Sequence, residues 1–242
     1  MPWNGKTTIS DAKNRVGQFD HDRRFNSIAS GRVIPQIDSM KLGEAKEFGL
    51  AVMHVDMNNF KKLSGGLSNE KKLRLLNIYL SELTHVIRDY SGFIEKYVGD
   101  GITSLFGVGK NNEQAVTDAV HCGLTILTEI YYTINGYLKS IGLPMFSCSI
   151  GIDYGKIWVA RVGVQGMNQL TLVGNEVSIA KQLEEFAGDH QIFLGGDAYA
   201  GLSQREQAFC KKQPDRGDFN WRVNGKRYSF YRYAAYWDGY EL

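Results

Sequence analysis

Two aspartates carry the most chemistry in this sequence. Asp56 closes a short apolar run, Leu50-Ala-Val-Met-His-Val-Asp56, and Asp100 sits between two glycines in Lys96-Tyr-Val-Gly-Asp-Gly101. A carboxylate ending one buried strand and a carboxylate at a hairpin tip converge when those strands are neighbours. Convergent carboxylates form an all-oxygen site for Mg²⁺ or Mn²⁺, and such ions keep positions open for phosphate oxygens. The backbone carbonyl of Met57 is placed to complete the shell. A pair of such ions activates a hydroxyl and stabilises a leaving pyrophosphate in an in-line displacement. Each aspartate also has a plainer use, Asp56 as a helix cap and Asp100 as a turn former. The strand contexts of both together favour the metal.

The elements that must position these groups are legible in outline. The run 50–56 reads as a buried strand, and a helix can begin within Asn58 to Leu63. Ser68 to Tyr90 has Leu73, Leu76, Leu80, Leu83 and Ile87 at steps of three and four, the pattern of an amphipathic helix. Phe93 to Val98 and Ile102 to Val108 flank the Gly-Asp-Gly turn as a hairpin. A second long helix is predicted over Asn112 to Ile141, with Gly123 and Gly136 as weak points. Strands follow at Phe146 to Ile152, Lys156 to Val162, Gln169 to Val173 and Gln191 to Leu194, with a helix over Asn175 to Ala187. This order is the split βαββαβ arrangement, a ferredoxin-like α+β fold with its helices on one face of a mainly antiparallel sheet. Residues 1–48 are expected to form an N-terminal helical extension, with helical spacing over 8–31 and a second short helix from Ser39 to Phe48. The domain itself then spans 49–242, with a core at 50–195 and a strand-rich tail at 196–242 whose Tyr228–Tyr233 run reads as edge strands.

Composition narrows the function. The chain has 242 residues, 43% hydrophobic, enough for a sizeable core. Its 28 basic and 26 acidic residues leave a net charge of +2, without the clustered excess of a nucleic-acid-coating surface. No apolar run is long enough to span a bilayer, and the N-terminus lacks a signal-peptide stretch, so a cytoplasmic protein is expected. Cys122, Cys148 and Cys210 form no metal-binding or disulfide spacing. His54 and His121 read as satisfied core groups. Tyr131, Tyr132 and Tyr137 read as helix packing, and the Arg/Tyr/Trp alternation near the C-terminus as hairpin chemistry.

Three blocks resemble the class III nucleotide cyclases. Val55-Asp-Met-Asn-Asn-Phe60 is similar to their first metal motif, Lys96-Tyr-Val-Gly-Asp-Gly101 to their second, and Val173-Gly-Asn-Glu-Val-Ser-Ile-Ala180 to the third block, at a helix start. The resemblance implies a head-to-tail homodimer with sites at the interface and two Mn²⁺ or Mg²⁺ ions per site. Asp56 and Asp100 of one protomer would hold the ions, and the backbone amides of Asn58, Asn59 and Phe60 would meet the triphosphate. Lys96 and Thr171 of the other protomer would contact the base. Guanylate-forming relatives have Glu where Lys96 stands, so GTP is disfavoured.

The third block departs from that pattern. Ser178 stands where typical members have the ribose-orienting Asn, and Gln182 where they have the Arg that stabilises the pentavalent phosphate. Losing that guanidinium raises the barrier by several kcal/mol, about 3 or more, unless another cation serves. Arg161 or Lys181 is available to replace it. A rebuilt third block beside an intact carboxylate pair, with a charged N-terminal segment, is similar to the pyrimidine cyclases of the bacterial anti-phage Pycsar systems. That resemblance implies UTP or CTP as substrate, UTP slightly favoured, and a cyclic product read by a separate effector. An adenylate cyclase and a catalytically silent nucleotide-binding or dimerisation domain are the alternatives.

Overall fold

The computed structural model describes residues 9–21, 45–215, 219, 221–223 and 225–240. Helix α1 (Ile9–His21) precedes strand β1 (Ala45–Met57), a short helix α2 (Phe60–Ser64) and the long α3 (Asn69–Asp89). The hairpin β2 (Phe93–Val98) and β3 (Gly101–Phe106) leads into α4 (Asn112–Glu129), one π-helical turn (Ile130–Ile134) and α5 (Asn135–Ser140). Then come β4 (Cys148–Val164), β5 (Met167–Val173), α6 (Asn175–Phe186) and β6 (Gln191–Gly195). The tail holds α7 (Gly196–Gly201), α8 (Gln204–Gln207), β7 (Cys210–Lys212), the ribbon β8 (Arg222–Val223) and β9 (Lys226–Arg227), and β10 (Phe230–Tyr233).

Local chemistry explains the starts. The Ser68 hydroxyl accepts the Lys71 amide as the N-cap of α3, and Asn111 caps α4 by accepting from the Gln114 amide. Gly99 takes φ +63° at the first central position of the β2–β3 turn, a backbone that glycine adopts without strain. Among the described residues, eight strands form one sheet in the order β2-β3-β1-β4-β6-β10-β7, with β5 pairing on β4. The run β2-β3-β1-β4 is the antiparallel βαββαβ core, and β6 joins it parallel to β4.

Alternation along β1 divides the core. Ala51, Met53, Val55 and Met57 pack with α3 and α4 residues such as Leu75, Ile78 and Val120. Leu50 and Val52 face the other way, against Ala180 of α6. The helices therefore cover both faces, not one as expected: α3 and α4 take one face and α6 the other. Period-3.6 patterns show that a helix is amphipathic but not which face it joins.

Three further expectations are corrected. Ala45–Phe48, read as the end of a helix, begin β1, because β4 is long enough to pair with them. The two strands expected either side of Gly155 are one continuous β4. Gly155 makes no turn there; a Cβ at that position would lie 2.3 Å from the Glu176 carboxylate, so the glycine admits the first turn of α6. The Tyr228–Tyr233 run is not an edge: β10 lies between β6 and β7. Of the expected N-terminal helix, Ile9–His21 is helical; Phe25, Ile28 and Ser39 lie outside the described residues. Cys122, Cys148 and His121 are buried as expected, His121 lying 3.4 Å from Glu206.

Three buried acids anchor the periphery. Arg15 of α1 reaches Glu82 of α3 at 2.6 Å and Glu129 of α4 at 3.9 Å, so one guanidinium holds two interior carboxylates together. Asp153, fully buried on β4, accepts the Tyr228 hydroxyl at 2.9 Å, and burial pushes its pKa up to about 8. A carboxyl kept neutral in the fold but free to ionise near 3.8 when unfolded adds stability that is fully present below about pH 4 and lost as pH rises to about 8. Asp153→Asn is therefore expected to flatten the decline of unfolding free energy across that window. Denaturant titrations at pH 4, 6 and 8 check it, and an unchanged slope would refute it.

Candidate active site

Asp56 lies on the α6 face of β1, one residue from the strand end. The register pairs Val55 with Ile102 and Val98 with Gly101, which brings the Gly99-Asp100 turn beside it. A Cβ on Gly101 would stand 3.1 Å from Asp56 Oδ1, so the Asp56 carboxylate lies over the backbone adjoining Asp100. Burial first, and then the Asp56 charge, raise Asp100 to about 6. Burial likewise raises Asp56, opposed by Lys181 and by the Met57 amide that donates to its carboxylate. The Asp56 charge thus disfavours ionisation of Asp100, and a divalent cation held between the two carboxylates would relieve that repulsion. Among the described residues no trio of His, Cys, Asp or Glu is arranged to hold a metal. A cation bound by two carboxylates alone would keep coordination positions open for substrate oxygens.

Helix α6 forms the opposite wall. Gly151 of β4 lets it approach closely: a Cβ there would be 2.0 Å from the Ala180 carbonyl. Beside it, His54 donates from Nε2 to the Val177 carbonyl at 3.2 Å. A carbonyl only accepts, which fixes the tautomer; Nδ1 then accepts the Thr103 hydroxyl at 3.0 Å. Burial holds the His54 pKa down to about 4, so the ring stays neutral. Between β1, β2, β3 and α6 opens a cavity of about 620 Å³, lined among others by Asp56, Lys96, Thr103, Ser178, Lys181 and Gln182. Trp221 from the tail lines it too, a contribution that sequence reading missed because it depends on where the tail returns.

The sequence profile described as "Adenylate and Guanylate cyclase catalytic domain" matches residues 45–232. The chain belongs to this family. An adenylate cyclase from Anabaena cylindrica is 28% identical over 157 residues, 63% of this chain but 30% of that protein. The chain thus spans under a third of that relative's length. A uridylate cyclase from Rhodovulum sp. (strain MB263) is 22% identical over 240 residues, 95% of each chain. The crystal structure of the guanylyl cyclase Cya2 shares the fold, with a TM-score of 0.68 and 24% identity, covering 83% of this chain and 98% of that one.

Against this cyclase fold, the remaining expected residues are placed as follows. The Asn58 amide donates to the Ser147 carbonyl at 2.9 Å, and its side chain bonds Asp189 at 2.7 Å and accepts from Ser149 at 2.7 Å. Asn58 thereby ties the β1–α2 connection to β4 and to the turn after α6. Asn59, in the left-handed region at φ 58°, and Phe60 head α2, ahead of its first internal bond from Lys62 to the Asn59 carbonyl. Lys96 is exposed and lies 3.4 Å from Glu95. Thr171 and Arg161 sit on the β4–β5 hairpin and do not line the cavity; Thr171 pairs with Ala160, and Arg161 Nε donates to Asn168 at 2.7 Å. Ala160 also pairs with Ala45, so this hairpin leaves the sheet at the opposite end of the β1–β4 ladder from Asp56.

Proposed function

We propose that this chain is a divalent-metal-dependent nucleotide cyclase that converts UTP or CTP to the 3′,5′-cyclic monophosphate and pyrophosphate. The observation that carries the reading is the Asp56–Asp100 pair, with Asp56 and the Gly101 backbone next to Asp100 lining a cavity whose α6 wall carries Ser178 and Gln182. The similarity to a uridylate cyclase along almost the whole of both chains supports the pyrimidine substrate. In the reaction the ribose 3′-oxygen bonds to the α-phosphorus, the bond to the β-phosphate oxygen breaks, and the hydroxyl proton is lost. Mn²⁺ or Mg²⁺ held by Asp56, Asp100 and the Met57 carbonyl would acidify the hydroxyl and neutralise the leaving pyrophosphate. Asn59 and Phe60 would present backbone amides to the triphosphate from a turn that Asn58 braces, and Ser178 and Gln182 would border the ribose and α-phosphate.

Lys96 and Thr171 would read the base across a homodimer interface, with Arg161 on the same hairpin. Support for that pairing comes from the apolar side chains that this hairpin leaves exposed, Trp158, Val162, Met167 and Val173. The cyclic nucleotide would act in the bacterial cytoplasm as an anti-phage messenger for a separate effector. A second reading, an adenylate cyclase, draws on the Lys96 and Thr171 pair.

Incubation of the purified protein with ATP, GTP, CTP and UTP plus Mn²⁺, followed by mass spectrometry, tests these readings. Cyclic UMP or cyclic CMP is expected. Cyclic AMP as the main product would overturn the pyrimidine assignment, and no cyclic product from any nucleotide would overturn the cyclase.

A further inference from the structure

A cation already stands at the carboxylate site, and it belongs to the chain. Lys181, on the second turn of α6, has its Nζ 3.8 Å from Asp56 Oδ2 and 2.5 Å from Glu184 Oε2, with Glu185 Oε1 at 4.0 Å. The ammonium is half-exposed toward the cavity, while Glu184 beneath it is buried. Gly151 seats the helix so closely that this reach, from residue 181 to residue 56, is set by backbone packing.

We propose that Lys181 is the resident counter-ion of Asp56, that a divalent cation displaces it, and that the freed ammonium then serves the nucleotide phosphates as the cation absent from position 182. The second half rests on the cyclase reading above; the first does not. An ammonium and a divalent ion cannot both lie against one carboxylate oxygen without strong repulsion. A lysine suits such an exchange, being a point charge on a flexible four-carbon stem with no fixed fork geometry to satisfy. Glu184 supplies the tether. With Asp56 occupied, its carboxylate keeps the ammonium at the α6 wall of the same cavity, where a triphosphate would lie. Gln182, one position further along the helix, carries no charge, so Lys181 is the basic side chain that α6 offers there.

The test measures Mn²⁺ binding to the nucleotide-free full chain by electron paramagnetic resonance, for the wild type, Lys181→Met and Asp56→Asn. Lys181→Met keeps the stem and removes the charge. It is expected to bind Mn²⁺ about tenfold more tightly at low ionic strength, with the gain shrinking as salt is added. Asp56→Asn is expected to lose that binding. In parallel, Lys181→Met is expected to lower kcat at saturating Mn²⁺ by at least about tenfold. Unchanged or weaker Mn²⁺ binding in folded Lys181→Met overturns the counter-ion role, and unchanged kcat overturns the phosphate role. Lys181→Gln repeats the comparison should the methionine variant misfold. A protein that turns over no nucleotide fails the cyclase reading yet still reports the metal comparison, so the two failures are distinguishable.

Discussion

Asp100→Asn is expected to remove cyclic nucleotide formation, by about 10³-fold or more, while leaving the protein folded and at least as stable as the wild type. The two effects have opposite signs for one reason. In the metal-free chain Asp100 faces the Asp56 carboxylate, and burial and that charge together disfavour its ionised form. Asparagine keeps the shape, suits the turn and removes the repulsion. The same substitution removes one anionic oxygen ligand from the proposed site, which the Met57 carbonyl cannot replace. Product assayed by mass spectrometry, with a thermal melt on the same sample, reads both. Folded Asp100→Asn that retains a tenth or more of wild-type turnover would sink the two-carboxylate mechanism. Asp56→Asn is expected to behave alike in turnover, and it also releases Lys181 from its 3.8 Å contact.

Gly151→Val is expected to be the most destabilising single change at the site. The added Cβ would lie 2.0 Å from the Ala180 carbonyl and 2.3 Å from the Glu184 amide, both backbone atoms of α6 that cannot rotate aside. The helix must lift, opening the small cluster of Leu50, Val52, Leu105, Ile157 and Ala180 on that face of the sheet. Overpacking of this kind costs about 3 kcal/mol or more, roughly 6–12 °C in Tm for a chain of this size. Turnover should fall further than stability explains, since Ser178, Lys181 and Gln182 all ride on the displaced helix. Gly151→Ala makes the same contact with less bulk and should show a smaller loss. A Gly151→Val melting temperature within about 2 °C of wild type would mean that α6 does not depend on this close approach.

The readings that held are those with local physical causes. The helix expected from Ser68 starts there, with the Ser68 hydroxyl accepting the Lys71 amide three residues away. Gly99 and Asp100 make the hairpin turn through their own backbone preferences. The leucines of α3 recur with the helical period, which was enough to mark the helix but not its inner face: Leu83 and Ile87 are buried, whereas Leu73 is exposed, Leu76 and Leu80 are half-buried, and Leu75, Ile78, Tyr79 and Val86 fill the core instead. The carboxylate pair was legible for the same reason, since each aspartate ends a pattern that its neighbours define. The break expected between Ile152 and Lys156 is absent because long-range pairing with β1 runs straight through it, and Gly155 there makes room for Glu176.

Sequence alone thus determined the βαββαβ core, the ends of its main helices and the two acids at its open edge, because periodicity, capping and turn chemistry act over a few residues. The tertiary structure decided that α6 covers the second face, that β10 enters the sheet beside β6, and that Lys181 reaches Asp56. Those outcomes join residues far apart in the chain, and they follow from which surfaces fit: a glycine on β4 under a helix backbone, and an ammonium between carboxylates. No short-range pattern encodes that fit.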